Sequence, residues 1–227
     1  MLAPIADEDT SDRPQALVAD SLVSRKPHRR GFRAAGFVAS AGGRGPNILY
    51  TGFTNANAML HVANCVANAA RIESGDNYRF YAEGVTPAVA RLYEATNAER
   101  VAVAAALGTP VPTLADWFDR VYGVREATLD ETSRRLTYNR YGPYQATGTP
   151  KSLDHKFITE DVPTGLIPMS ALGSAAGVRT PAIDALVELG KIMTGDDFAA
   201  TARTLDRLGL SGMDTPQIRR VVDQGFG

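Results

Sequence analysis

Asn57, His61, Asn64 and Asn68 are the residues of this chain whose types and spacing best suit chemistry, with separations of four, three and four. On a helix of ~3.6 residues per turn they fall on one stripe. Histidine can give and take a proton near neutral pH, and asparagine offers donors and an acceptor without charge. Met59, Leu60, Val62, Ala63, Val66 and Ala67 fill much of the remaining circumference, so the helix is expected to be buried on most sides. A buried polar group without partners costs on the order of 1–3 kcal/mol. The stripe is therefore either a satisfied internal network or one wall of a water-filled, ligand-binding cleft. The spacing leaves both open.

Two other clusters carry chemistry-bearing residues. In GVRTPAID, residues 177–184, Thr180 is expected to cap a helix that Pro181 opens. Asp184 then lies in the first turn, where the helix dipole favours a carboxylate, and Arg179 stands just before the cap. A cation and an anion on either side of a rigid helix start suit holding a substrate carboxylate and orienting a histidine. The plainer alternative is a helix-supporting Asp184 and a surface Arg179. In KSLDHKFITEDVP, residues 151–163, stand Asp154, His155, Glu160 and Asp161. Their spacing fits no standard metal motif, and a loop bordering a cleft is expected there. The glycines at 42, 43 and 45 match neither a phosphate loop nor GxGxxG.

The elements that must position these residues are mainly helical. One helix is expected over 54–72, a second after the Thr86-Pro87 start and closing at Gly108, and a third over 113–122 with the sole tryptophan, Trp117. In the second helix, Glu and Arg are assigned to the exposed side. A short helix near 126–134 is followed by a long loop over 137–165, rich in Gly and Pro. Helices are then expected over 168–176, from Pro181 to about Met193, and over 198–208 and 216–224. Residues 1–45 read as an irregular or β-containing segment, with an acidic start and a basic run, RKPHRRGFR. The division is thus 1–45 and 46–227.

Composition narrows the function. With 24 basic against 25 acidic residues among 227, no global field favours nucleic acid or an anionic membrane. Cys65 is the single cysteine, which excludes an internal disulfide or a multi-cysteine metal site, and it reads as a core thiol. No apolar stretch approaches a membrane span and the N-terminus does not read as a secretory signal, so a cytoplasmic protein is expected.

NILYTGFTNANAMLH, FYAEGVTPAVARLYEATNAERVAVAAALG, SLDHKFITEDVPTGLIPMSALG and GVRTPAIDAL, in this order, resemble the C-terminal catalytic domain of the opine (octopine/nopaline) dehydrogenase family, over roughly residues 46–210. The resemblance implies a helical bundle that binds an amino acid and a 2-keto acid beside a separate Rossmann domain carrying NAD(P)H. It implies His61 as the catalytic histidine, Arg179 as the substrate-carboxylate arginine and Asp184 as the aspartate that supports the histidine. Asn57 and Asn64 are expected to add donors to substrate oxygens. Those types suit the condensation of a keto acid with an amine. Histidine moves the protons, an aspartate fixes its tautomer, and arginine matches a planar carboxylate.

Only about 45 residues precede Asn47, too few for a Rossmann unit, though ALVADSLVSRKPHRRGFRAAGFVAS within them could be a remnant of such a unit's final strands. The expectation is therefore no cofactor and no metal bound by this chain, with NAD(P)H only where a separate nucleotide-binding subunit supplies it. Alternatives are a non-redox cyclase, isomerase or condensing enzyme on the same residues, or a non-catalytic ligand-binding or scaffold protein. The expected partner is a small carboxylate-bearing substrate, with assembly into a homodimer left open.

Overall fold

The expected helix over 54–72 forms as three pieces in the computed structural model, which describes residues 46–122 and 147–226. They are α1 (Ile48–Thr54), α2 (Asn57–Ala67) and α3 (Ala69–Glu73). Asn47 caps α1, its side-chain oxygen accepting the Tyr50 N–H at 3.0 Å. The chain leaves helical geometry at Asn55 and turns again at Asn68, which has φ −117° and ψ 19°. Met59, Leu60, Val62 and Ala63 are 0–1% exposed, so α2 is enclosed as its pattern requires. Burying each larger side chain is worth roughly 1.5–3 kcal/mol.

α4 (Pro87–Ala106) is capped by Thr86, with Pro87 in the first turn, as the sequence indicates. It ends at Gly108, whose φ of +72° suits glycine. A Cβ there would also collide with the Arg219 guanidinium, which donates to the Leu107 carbonyl at 3.0 Å. One expectation fails on this helix: Arg100 is 1% exposed, not solvated. Its guanidinium donates to the carbonyls of Phe53 and Pro112 and to the Asn97 side chain. Arg100 thereby ties α4 to the end of α1 and to the approach to α5 (Leu114–Tyr122). Burial pulls its pKa down to about 10.

The loop expected as far as residue 165 is helical from Lys156 onward. α6 (Lys156–Thr159) leads into a π-helical turn (Val162–Leu166) and then α7 (Ile167–Ala175). Pro168 explains the widened turn. It has no N–H to give the carbonyl four residues back, and its ring would clash there. Instead the Ile167 N–H donates five residues back, to Val162, and the Pro163 carbonyl accepts the Arg203 N–H at 2.9 Å.

α8 (Pro181–Thr194) closes on Gly195, at φ +72°. The segment 198–208 is a series of turns, not the helix expected: Phe198 has φ 57° and is 1% exposed, and Arg203 sends its N–H to Pro163. α9 (Thr215–Gln224) starts on a reciprocal Asp214/Gln217 capping box. α2 sits centrally, packed by α4, α6, the π-turn and α8. Among the described residues the only β pairing is an isolated bridge between Arg79 and Gly148, and no helix is long and apolar enough to cross a membrane. The expectations for residues 1–45, for a helix at 126–134 and for the loop at 137–146 lie outside the described residues.

Candidate active site

His61 lies midway along α2, its side chain 13% exposed, with its Nδ1 2.6 Å from Oδ2 of Asp161, itself 18% exposed. An ionised carboxylate only accepts, so Nδ1 donates, and Nε2 is left to take or give a proton. The ring stacks on Phe157 at 3.9 Å between centroids and 21° between planes. Tyr81 stands 6.3 Å away on a tilt. Phe157, in α6, and Asp161, between α6 and the π-turn, are four residues apart, so this short stretch supplies both the aromatic floor and the carboxylate. His155 caps α6, its Nδ1 accepting the Phe157 N–H at 3.3 Å, and lies edge-on to the Phe157 ring at 4.5 Å. Burial, then the nearby Lys156 and His61, hold His155 below its ordinary value. Cys65, one turn along α2, is 1% exposed, and burial, with Asp161 adding to it, pushes its thiol up to about 12. It is a core thiol, as the sequence indicates.

The asparagines sort by depth. Asn64 is fully buried; its amide donates to the Phe80 carbonyl at 2.7 Å, and its side-chain oxygen accepts from Asn68 at 2.9 Å. Asn68 also donates to the Gly84 carbonyl at 3.1 Å. The pair clamps the 80–84 turn onto α2. A Cβ on Gly84 would fall 2.8 Å from the Asn64 side chain, so the close approach requires glycine. The expectation of Asn64 as a substrate-binding residue is therefore corrected: its oxygen and amide are engaged inside the core, and it meets no solvent. Asn57 is half-buried at the start of α2, and its backbone N–H donates to the Asn55 side chain at 3.1 Å.

Arg179 and Asp184 are exposed and line one open cleft of about 500 Å³ with Ser170, Ser174 and Thr180. His61 is not among the residues lining that cleft. Asp184 accepts hydrogen bonds from the hydroxyls of Ser170, at 2.5 Å, and Thr180, at 3.2 Å. The carboxylate paired with His61 is therefore Asp161, in place of the expected Asp184. Thr180 is not the side-chain cap expected of it either. The first-turn N–H groups of Ala182 and Ile183 go to the two oxygens of Glu99, each at 2.8 Å. Arg179 has no side-chain partner among the described residues. No group of three or more His, Cys, Asp or Glu among them is placed to hold a metal ion.

Sequence reasoning names Asp161 only within a loop cluster expected to border a cleft, and gives Phe157, Ser170 and Glu99 no role in a site. A signal existed for the first two. An aromatic and a carboxylate four residues apart in FITED share a face if that stretch is helical, whereas its Gly- and Pro-rich surroundings indicate a loop.

Fold and clusters define a mainly α-helical domain with a supported imidazole and, lined by other residues, an open polar cleft. Residues 44–194 match the family model for the NAD/NADP octopine/nopaline dehydrogenase, alpha-helical domain, and the chain belongs to that family. It is 40% identical over 177 residues to an opine dehydrogenase of Arthrobacter sp. (strain 1C), covering 78% of this chain and 48% of the relative. It is 29% identical over 168 residues to a vitopine synthase of Allorhizobium ampelinum, covering 73% and 45%. The chain thus spans about half the length of the curated relatives it matches. Solved structures of octopine dehydrogenase share the fold. The structure with NADH and agmatine has a TM-score of 0.61 at 18% identity, covering 79% of this chain and 50% of that one. The structure with NADH and L-arginine has a TM-score of 0.58 at 19% identity, covering 75% and 48%.

Proposed function

We propose that this domain carries the substrate side of an opine-dehydrogenase-type reaction, in which an amino acid and a 2-keto acid condense before reduction. The observation that carries the reading is the 2.6 Å contact of His61 with Asp161, made with the imidazole flat on Phe157. The ring is fixed in one tautomer and one orientation, which a general acid–base group needs. His61 takes the proton shed by the attacking amine. It returns one to the carbinolamine hydroxyl, which leaves as water and gives the imine. Arg179 receives the substrate carboxylate through paired charge-assisted hydrogen bonds, and Asn57, half-buried at the start of α2, offers a further polar contact in this reading.

The described residues do not suit a dinucleotide. A Rossmann unit needs parallel strands joined by helices, and one isolated bridge is their only pairing. No step through a nicotinamide is assigned to them, and NAD(P)H is expected from a separate nucleotide-binding unit. Calorimetric titration of this chain with NADH and NADPH is expected to give no micromolar binding; such binding would make the chain self-sufficient. The test of the chemistry is His61→Ala, assayed for turnover of amino acid and 2-keto acid with the nucleotide-binding unit supplied. A loss of roughly 10²–10⁴-fold at unchanged melting temperature is expected. Full activity in the variant would refute the role.

A further inference from the structure

We infer that Glu99 is a positioning residue of the substrate site: by capping α8 from α4 it fixes the backbone that aims Arg179. The inference rests on the proposed role of Arg179 as the carboxylate anchor. The turn 177–180 is held at both ends. On one side the Val178 N–H donates to the Gly173 carbonyl at 2.8 Å, closing the end of α7. On the other the two Glu99 oxygens take the N–H groups of Ala182 and Ile183 at 2.8 Å each. Gly173 seats the turn closely, since a Cβ there would stand 3.0 Å from Thr180, Val103 and the Val178 carbonyl. Val103 lies one helical turn beyond Glu99, so one face of α4 supports both anchors.

Arg179 lies between these anchors, exposed and with no side-chain partner among the described residues. A long cation on an ordered backbone binds an anion with less entropy to lose than one on a free loop. Glu99 has a second effect. The first turn of a helix attracts anions through its free N–H groups and its dipole. Here an internal carboxylate already fills that seat. An incoming carboxylate is thereby directed to the guanidinium and away from the helix end, where it would stand out of reach of Arg179. Sequence spacing could not show this, because Glu99 and Ala182 are 83 residues apart.

The experiment titrates the chain with pyruvate, a small 2-keto acid, and with its uncharged methyl ester. Kd is read by amide-resolved NMR for wild type, Arg179→Ala, Glu99→Ala and Glu99→Gln. Arg179→Ala is expected to weaken pyruvate by roughly 10- to 100-fold. Glu99→Ala should weaken it by roughly three- to tenfold, and Glu99→Gln, which keeps one acceptor, by less. Methyl ester binding should stay at its wild-type value in all three. Hydrogen exchange at Ala182 and Ile183 should quicken in the Glu99 variants. If Arg179→Ala weakens pyruvate but both Glu99 variants bind at or above wild-type affinity, the positioning role is wrong and the anchor stands. If Arg179→Ala leaves pyruvate unchanged, or wild type does not bind it, the anchor itself is wrong. Equal loss of pyruvate and ester in the Glu99 variants would reduce Glu99 to general support of the fold and overturn the inference. Should Glu99→Ala not fold, Glu99→Gln alone decides.

Discussion

Asp161→Asn and Asp184→Asn separate the two carboxylates that could serve His61. The His61–Asp161 contact is 2.6 Å between side chains 13% and 18% exposed, so it is a short, largely desolvated, charge-assisted bond. Such bonds are worth about 1.5–3 kcal/mol, and 1.36 kcal/mol is a factor of ten in rate. If the whole bond acts on the protonated imidazole of the transition state, Asp161→Asn slows turnover by about 10- to 150-fold. Its isosteric side chain should leave the melting temperature nearly unchanged. Asp184, itself exposed, accepts from the hydroxyls of Ser170 and Thr180. An amide oxygen there keeps both partners, so the loss is at most about 1 kcal/mol, under about fivefold. The assay is steady-state turnover of amino acid and 2-keto acid with the nucleotide-binding unit supplied, beside thermal unfolding. Imidazole 15N NMR on this chain alone adds an independent reading: wild type should hold the Nδ1–H tautomer, and Asp161→Asn should mix the two. The opposite order, Asp184→Asn inactive and Asp161→Asn near wild type, would refute the assignment.

Asn68→Ala leaves the Gly84 carbonyl and the Asn64 oxygen unpaired in the core, and should cost about 1–3 kcal/mol in denaturant unfolding without altering KM. Arg100→Ala strands the Phe53 and Pro112 carbonyls and opens a void where the side chain lay. It should cost about 2–5 kcal/mol, read from the urea midpoint at unchanged m-value. His155 is held below its ordinary value of 6.5 by burial first and its cationic neighbours next. The unfolded chain therefore binds the extra proton first as pH falls. The stability contributed by neutral His155 is complete above about 6.5 and declines as acid carries the group through its lower folded value. Denaturation midpoints for wild type minus His155→Asn, taken in steps from pH 7.5 to 5, should fall through that window; a flat difference would contradict it.

The helix pattern, the Thr86 and Pro181 starts and the buried face of α2 were readable, because each depends on residues within a turn or two of one another. So was the polar stripe, but not its sorting. His61 and Asn64 differ only in what covers them, and that is set by the 80–84 turn and by α6, far away in the chain. The same holds for the cap of α8. A threonine before a proline signals a helix start correctly, yet the N–H groups went to Glu99, a stronger, charged acceptor delivered by packing. Helical periodicity assigns Arg100 to the surface, because its partner carbonyls, at the end of α1 and just before α5, are brought to it only by packing. The π-turn had a local signal in Pro163 and Pro168, which the glycine and proline content of the region disguised as a loop.

The π-turn also limits how far the molecule could be regularised. Val162–Leu166 holds one more residue per turn than an α-helix would. Replacing Pro168 with alanine and rewinding the turn as α-helix, with every residue kept, would give an unbroken helix of better intrinsic propensity. It would also carry the surplus residue into α-helical winding, and so rotate everything upstream by about 100° and push it out by about 1.5 Å relative to α7. Asp161 lies immediately upstream, so its carboxylate would swing off the imidazole, and Phe157 would leave the ring face with it. The irregular winding works as a phase adjuster: it lets α7 pack in its own register while α6 faces His61 in another. A thermostability screen that favours the smooth helix would therefore select molecules that melt later and have lost the tautomer lock.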